Sequence, residues 1–304
     1  MRNIIASEII KKAKEDKNLF LIAGDAGLRV WDEYKEDFPD QYLNPGVNEQ
    51  CDIGLAAGLA LRGHRPIFYN ITPFVIMRPY EQVRNDICYQ NLPVILIGTG
   101  SGLTYAPAGM THYAIEDIAL AKTMPNLNIF SPADPIEAKK CFEYAYNSTS
   151  PSYIRVPKAG EATIHKSEDI DITKPIIIKD GKDGILFVHS AIIDEIETLD
   201  KLLKEHDIQL TFATVPMLST AYKFEDILND FEHIFTLEEH YLTGGFGSIL
   251  TEYVNDNDIG KKINKFAIKN EYIHKIGTRD FLREYYGINA AALAIKIQKV
   301  VQNG

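Results

Sequence analysis

Cysteine is scarce in this chain. Three are spread over 304 residues (Cys51, Cys88 and Cys141), an odd number with no CxxC spacing. That excludes a disulfide framework and a thiolate zinc site. Long apolar runs are missing too, so no segment approaches the roughly 18 residues a membrane-spanning helix requires. The opening MRNIIASEIIKKAKEDKN reads as an amphipathic helix rather than a signal peptide, because no long apolar stretch follows it. A cytoplasmic protein is expected. Positive charge is in deficit: 32 Lys and Arg against 42 Asp and Glu leave a net charge of −10. Nothing in that balance draws the chain to nucleic acid or to an anionic membrane. No short-period repeat and no low-complexity segment occurs.

What is present argues for a folded, fairly large protein. Apolar residues at 45% and aromatics at 10% exclude intrinsic disorder. A chain about twice the length of a typical domain buries enough surface to need no staples. Strand and helix patterns alternate. Leu19–Ala23 is a short apolar run ending at Gly24, and a helix rich in Gly and Ala starts near Glu49. Strands are expected at Pro66–Asn70, Pro93–Gly98, Asn128–Phe130 and Ser152–Val156, with helices at Tyr80–Tyr89, Ala114–Met124 and Pro135–Tyr146 between them. That alternation predicts a mainly parallel, doubly wound sheet.

From Pro157 to Lys182 the composition shifts to charged and turn-forming residues, with Ile176–Ile178 the lone apolar run. This segment is read as a linker plus the first strand of a second domain. Alternation then resumes: strands at Gly184–Ser190, Gln209–Val215 and His233–Leu237, helices at Ile192–His206 and Phe224–Phe231, and a closing helix at Asn289–Val301. Two α/β domains are expected.

The stretch Asn44-Pro45-Gly46-Val47-Asn48-Glu49-Gln50 places an acid at a helix start, where charge on the helix dipole is an ordinary surface role. Its context changes that reading. VNEQ, GLAAGLALRG, RPYEQVRND, THYAIEDIAL, PNLNIFSPAD and YIR follow one another in the first half. TLEEHYLTGGFGS and TRDFLREYYGINAAAL follow in the second. Taken in order, these motifs resemble the transketolases across essentially the whole chain, and most nearly the C-terminal subunit of two-subunit, or split, transketolases.

The resemblance implies a pyrimidine-binding domain at residues 1–160, a linker at 161–182 and a transketolase C-terminal-like domain at 183–304. It implies thiamine diphosphate as cofactor, with Glu49 matching the glutamate that hydrogen-bonds N1′ of the aminopyrimidine and favours its imino tautomer. Proton transfer then runs through the cofactor itself. Phe74, in the Thr72-Pro73-Phe74 loop, matches the aromatic that packs on that ring. His112 matches a substrate-contacting histidine, and Arg155 an arginine that holds a sugar phosphate through its planar fork of donors. Arg2 is a further phosphate candidate left unassigned. Gly244–Gly247 lacks the Lys-Ser/Thr of a P-loop and is read as a tight structural loop. Glu239 and His240, as neighbours on an extended segment, point oppositely and make no acid–base pair. His189 reads as a loop residue and Tyr285-Tyr286 as core or interface material.

Neither Gly24-Asp25-Ala26-Gly27 nor Lys182-Asp183-Gly184 has the trailing Asn of the GDG motif that holds Mg²⁺ and the diphosphate. No metal ligand is assigned in this chain. The resemblance therefore implies a GDG-containing alpha-type partner, binding most of the Mg²⁺, in an α₂β₂ assembly acting on a small sugar or sugar phosphate. Transfer of a two-carbon ketol or acyl unit to an aldehyde or ketone acceptor is the expected reaction. A beta subunit of the 2-oxo acid dehydrogenase type and a non-catalytic scaffold subunit are the alternatives. The chain also departs from the family: Gly100 stands where a His is usual, Pro107 and Ala108 replace a Glu-Asp pair, and Gly27 sits where many members have an acid. Since that His and Asp hold substrate hydroxyls, a non-standard, less hydroxylated substrate is expected.

Overall fold

A computed structural model describes residues 1–158 and 160–303. Apolar runs without alternation, such as Leu19–Ala23, form strands buried on both faces. Six strands make the first sheet: β1 (Leu19–Ala23), β2 (Tyr42–Leu43), β3 (Arg65–Ile71), β4 (Ile95–Thr99), β5 (Asn128–Phe130) and β6 (Ser152–Val156). Their order is β2-β1-β3-β4-β6-β5, and every pairing is parallel. The chain leaves β1 toward β2 and returns to the opposite side of β1 at β3, so the winding direction reverses between β1 and β3. In open α/β sheets that reversal opens a crevice at the carboxyl ends of the strands, where ligands bind.

The second sheet holds β7 (Ile176–Lys179), β8 (Ile185–Val188), β9 (Thr211–Thr214), β10 (Ile234–Tyr241) and β11 (Ile263–Ile268), in the order β11-β10-β8-β9-β7. It is parallel except for β7, which pairs antiparallel with β9 at the edge. The α/β class with two wound sheets is as the alternation implied. One apolar cluster runs through both halves, joining Ile22, Phe68 and Leu96 to Ile185, Phe187 and Val215. Backbone bonds stitch the halves together, among them Ser131 N to Pro216 O at 2.8 Å and Tyr241 N to Ile115 O at 2.9 Å.

Several elements differ from the periodicity. The expected helix at Tyr80–Tyr89 is one α-turn (Tyr80–Gln82) followed by π-helix at Val83–Cys88, and a π-turn at Pro73–Met77 precedes it. Wide turns of this kind occur often beside functional sites. The expected helix at Ala114–Met124 shortens to Asp117–Lys122, because Ala114 bridges Gly102 instead. Strand β11 and the helix Arg279–Tyr286 have no counterpart in the sequence reading; mixed polar residues in both hide their period.

Candidate active site

The crevice predicted by the strand order is a cleft of about 480 Å³. Its floor comes from the ends of β1, β3 and β4, and its walls carry Glu49, Phe74, Arg78, Tyr105 and Lys158. Glu49 opens the helix Glu49–Leu61, which carries the chain from β2 back to β3. An acid at this position is favoured by the helix dipole. The loop before it is fixed by Asn44, whose Oδ1 accepts from Asp25 N at 3.2 Å and Gly46 N at 2.9 Å. That clasp ties the approach of the helix to the segment after β1.

Glu49 is only 3% exposed. Its Oε1 accepts from Arg78 Nη1 at 2.7 Å, while Oε2 has no hydrogen-bond partner among the described residues. Arg78, 43% exposed, lies over the ring of Phe74 with its Cζ 4.1 Å from the centroid. His112 sets its ring edge-on to Phe74 at 5.7 Å and to Tyr105 at 6.1 Å, and its Nδ1 lies 2.9 Å from Thr111 Oγ1. Glu49, Phe74 and His112 thus converge from three separate segments of the chain.

Asp52, one turn along the same helix, is fully buried, and both its carboxylate oxygens lack a partner. Burial, with the charge of Glu49 second, makes it a weaker acid and pushes its pKa up to about 6. Gly24 makes room for it: a Cβ there would come within 2.8 Å of Asp52 Oδ2 and 2.9 Å of Asn70 Nδ2. Asn70 is committed elsewhere, donating to Gly24 O at 2.9 Å and accepting from Ile71 N at 2.7 Å.

Arg155 requires a correction. It is fully buried on the first domain's side of the domain seam, not in the cleft. Its Nε donates to Asp117 Oδ2 at 2.7 Å, Nη1 to Ser131 Oγ at 3.2 Å, and Nη2 to Ala114 O at 2.9 Å. Tyr153 adds a bond to the same Asp117 oxygen at 2.7 Å. A guanidinium so enclosed has no path to a phosphate. Three residues later, beyond the end of β6, the exposed Lys158 does line the cleft, and Arg2 stands with it. A position just past a strand's carboxyl end was the available signal for Lys158. Asp52 was legible as one helical turn from Glu49, whereas Arg78 stood in the RPYEQVRND motif with nothing to mark its contact with Glu49.

The other motifs are structural. Glu238 accepts from Phe246 N at 2.8 Å and Gly247 N at 2.9 Å, so the Gly-rich helix start binds an internal carboxylate. The same Glu238 faces His189 Nε2 at 3.4 Å, and His189 Nδ1 meets Ser131 Oγ at 2.7 Å across the domain seam. Glu239 receives Arg279 Nε at 2.8 Å and Arg283 Nε at 2.6 Å, which help hold its carboxyl down at about 2. His240 turns instead to Tyr241 O. Among the described residues no group of three or more His, Cys, Asp or Glu is placed to hold a metal ion, and no helix is long and apolar enough to cross a membrane.

The cleft fits the aminopyrimidine of thiamine diphosphate, the cofactor the resemblance implies. Arg78 already shows what a flat nitrogen heterocycle would do there. Its guanidinium lies over the Phe74 ring and donates an N–H to Glu49. A flat aminopyrimidine in that place would meet the same two groups, and Arg78, already 43% exposed, is the side chain it would displace.

A family model described as the transketolase pyrimidine-binding domain matches residues 1–160. The chain is 30% identical, over 303 residues and 96% of each chain, to a component of the apulose-4-phosphate transketolase of Actinobacillus succinogenes. It is 28% identical to a putative transketolase C-terminal section of Methanocaldococcus jannaschii, covering 98% of this chain and 95% of that one. Its fold matches a solved split-gene transketolase, described as an inactive beta4 tetramer, with a TM-score of 0.87 at 24% identity over 99% of this chain and 97% of the other. With a domain match over more than half its length and a whole-length relative at 30% identity, the chain belongs to the transketolase family.

Proposed function

We propose that this chain is the pyrimidine-binding and C-terminal half of a two-subunit, thiamine-diphosphate-dependent enzyme. It moves a two-carbon ketol or acyl unit from a ketose-type donor to an aldehyde or ketone sugar acceptor. The observation that carries this reading is Arg78 lying over Phe74 and bonded to the buried Glu49. Thiamine diphosphate, when bound, supplies a nucleophilic carbon able to hold the electron pair of a broken C–C bond. Glu49 holds a proton against the ring nitrogen it faces, and its burial keeps water from competing for that bond. Phe74 offers the ring face on which the heterocycle would pack. His112, edge-on to both Phe74 and Tyr105, is the residue assigned to contact the substrate. Lys158 and Arg2 meet an anionic end, in the role expected of Arg155.

The partner follows from the same reading. The chain spans 96% of a relative that is itself one component of a multi-chain transketolase. That supports an alpha-type partner carrying the diphosphate site and the Mg²⁺, in an α₂β₂ complex. A phosphorylated ketose is supported by that relative's name and by Arg2 and Lys158 in the cleft. The experiment is reconstitution with a GDG-containing candidate partner, Mg²⁺ and thiamine diphosphate, given hydroxypyruvate and a panel of aldose phosphates. Formation of a ketose phosphate two carbons longer than its acceptor is the expected result. Decarboxylation of 2-oxo acids with no ketose formed would favour the 2-oxo acid dehydrogenase type. Turnover indifferent to Glu49→Gln would mark a non-catalytic chain.

A further inference from the structure

Position 100 and residue 105 compete for one volume. Gly100 has φ +93°, and a Cβ built on it would overlap the Tyr105 ring. No side chain fits at position 100 while Tyr105 stands where it does, so the missing histidine is replaced in space by a phenol. The loop that carries Tyr105 is firmly held. Thr104 Oγ1 donates to Ser101 O at 2.5 Å, Ala108 N to Tyr105 O at 2.8 Å, and Tyr113 Oη to Ala106 O at 2.8 Å. Leu103 N is anchored on the buried Glu239 at 3.0 Å. Pro107 and Ala108, in place of the acidic pair, sit exposed on the short turn that follows.

The Tyr105 ring stands in the cleft wall between two chemistries. The Lys158 ammonium lies over it, 5.4 Å from its centroid, and His112 meets it edge-on. We infer that Tyr105 is a specificity-determining residue, which selects phosphorylated sugars presenting C–H rather than O–H groups to its ring. The inference rests on the proposed reaction and narrows its substrate class to deoxy sugar phosphates. The physical reason is asymmetric. An aromatic face packs against a CH₂ group and leaves a hydroxyl in the same place unsatisfied, while the adjacent ammonium serves the phosphate of either sugar.

The test compares 2-deoxyribose 5-phosphate with ribose 5-phosphate in the reconstituted holoenzyme, by turnover with hydroxypyruvate and by calorimetric binding. The native enzyme should favour the deoxy sugar by roughly ten- to hundredfold in kcat/KM, the discrimination an apolar wall gives against a hydroxyl. Tyr105→Phe should keep that preference, since the ring carries it. Tyr105→Ala should bring the ratio to within about threefold of unity while phosphate-dependent binding persists. Equal binding of the two sugars by the native complex overturns the inference, as does a ratio that Tyr105→Ala leaves in place. Preferential binding without any ketose product would sustain the role of Tyr105 and overturn the proposed reaction instead.

Discussion

Two regions of this molecule bury charged groups, and they do so in opposite ways. At the domain seam every buried charge has its partner: Arg155 with Asp117, Glu238 with two backbone N–H groups and His189, Glu239 with Arg279 and Arg283. At the cleft the pairing is incomplete: Glu49 is bonded at one oxygen by a half-exposed arginine, and Asp52, fully buried one helical turn behind it, is bonded at neither. A satisfied buried charge specifies how parts fit together, while an unsatisfied one marks where something else is meant to bind. The contrast assigns the seam to architecture and the cleft to chemistry.

The sharpest way to break the contrast is Glu49→Gln. It should lower turnover of the assembled enzyme by roughly 10²–10⁴-fold, the range for losing a positioned proton carrier. Urea unfolding of the chain alone should change by no more than about 1 kcal/mol, because only a part-exposed ion pair is lost. Arg155→Met should do the reverse. Removing one member of a fully buried pair strands Asp117 and costs about 3–5 kcal/mol of stability, measured by the same unfolding. An Arg155→Met chain of native stability that binds phosphorylated sugars poorly would return that residue to the site.

Asp52→Asn tests the open side by pH. The folded-state pKa of Asp52, raised from 3.8 to about 6, means that folding favours its protonated form. Its ionisation therefore costs nothing below pH 3.8, costs progressively more as pH rises, and has its full effect above pH 6. Asp52→Asn should stabilise the isolated chain by at most about 3 kcal/mol at pH 8 and about half that at pH 5, read from paired denaturation curves. A margin independent of pH would mean that Asp52 has a partner after all. The smallest effect belongs to the rim: Lys158→Ala should raise KM for a phosphorylated acceptor by about five- to tenfold with kcat little changed, since an exposed cation binds ground and transition states alike.

The sequence was informative where chemistry and backbone pattern coincide. Buried parallel strands read as apolar runs, and Glu49 and His112 lie in motifs whose order points to the family. It misled at Arg155, because an arginine in a strand says nothing of its burial; that depends on Asp117 and Ser131 arriving from other segments. It gave no role to Arg78, although that residue opens the RPYEQVRND motif, or to Tyr105, because their contacts arise from packing between segments far apart in the chain. The absent histidine at position 100 was legible, yet only the structure shows that Tyr105 fills its volume.

The central claim is that this chain holds one half of a thiamine diphosphate site. Titration calorimetry with Mg²⁺-thiamine diphosphate, on the chain alone and with its GDG-containing partner, tests it most directly. Binding that needs both proteins and weakens with Glu49→Gln is the predicted result. Tight binding by this chain alone, or binding by the mixture that Glu49→Gln leaves untouched, would contradict it.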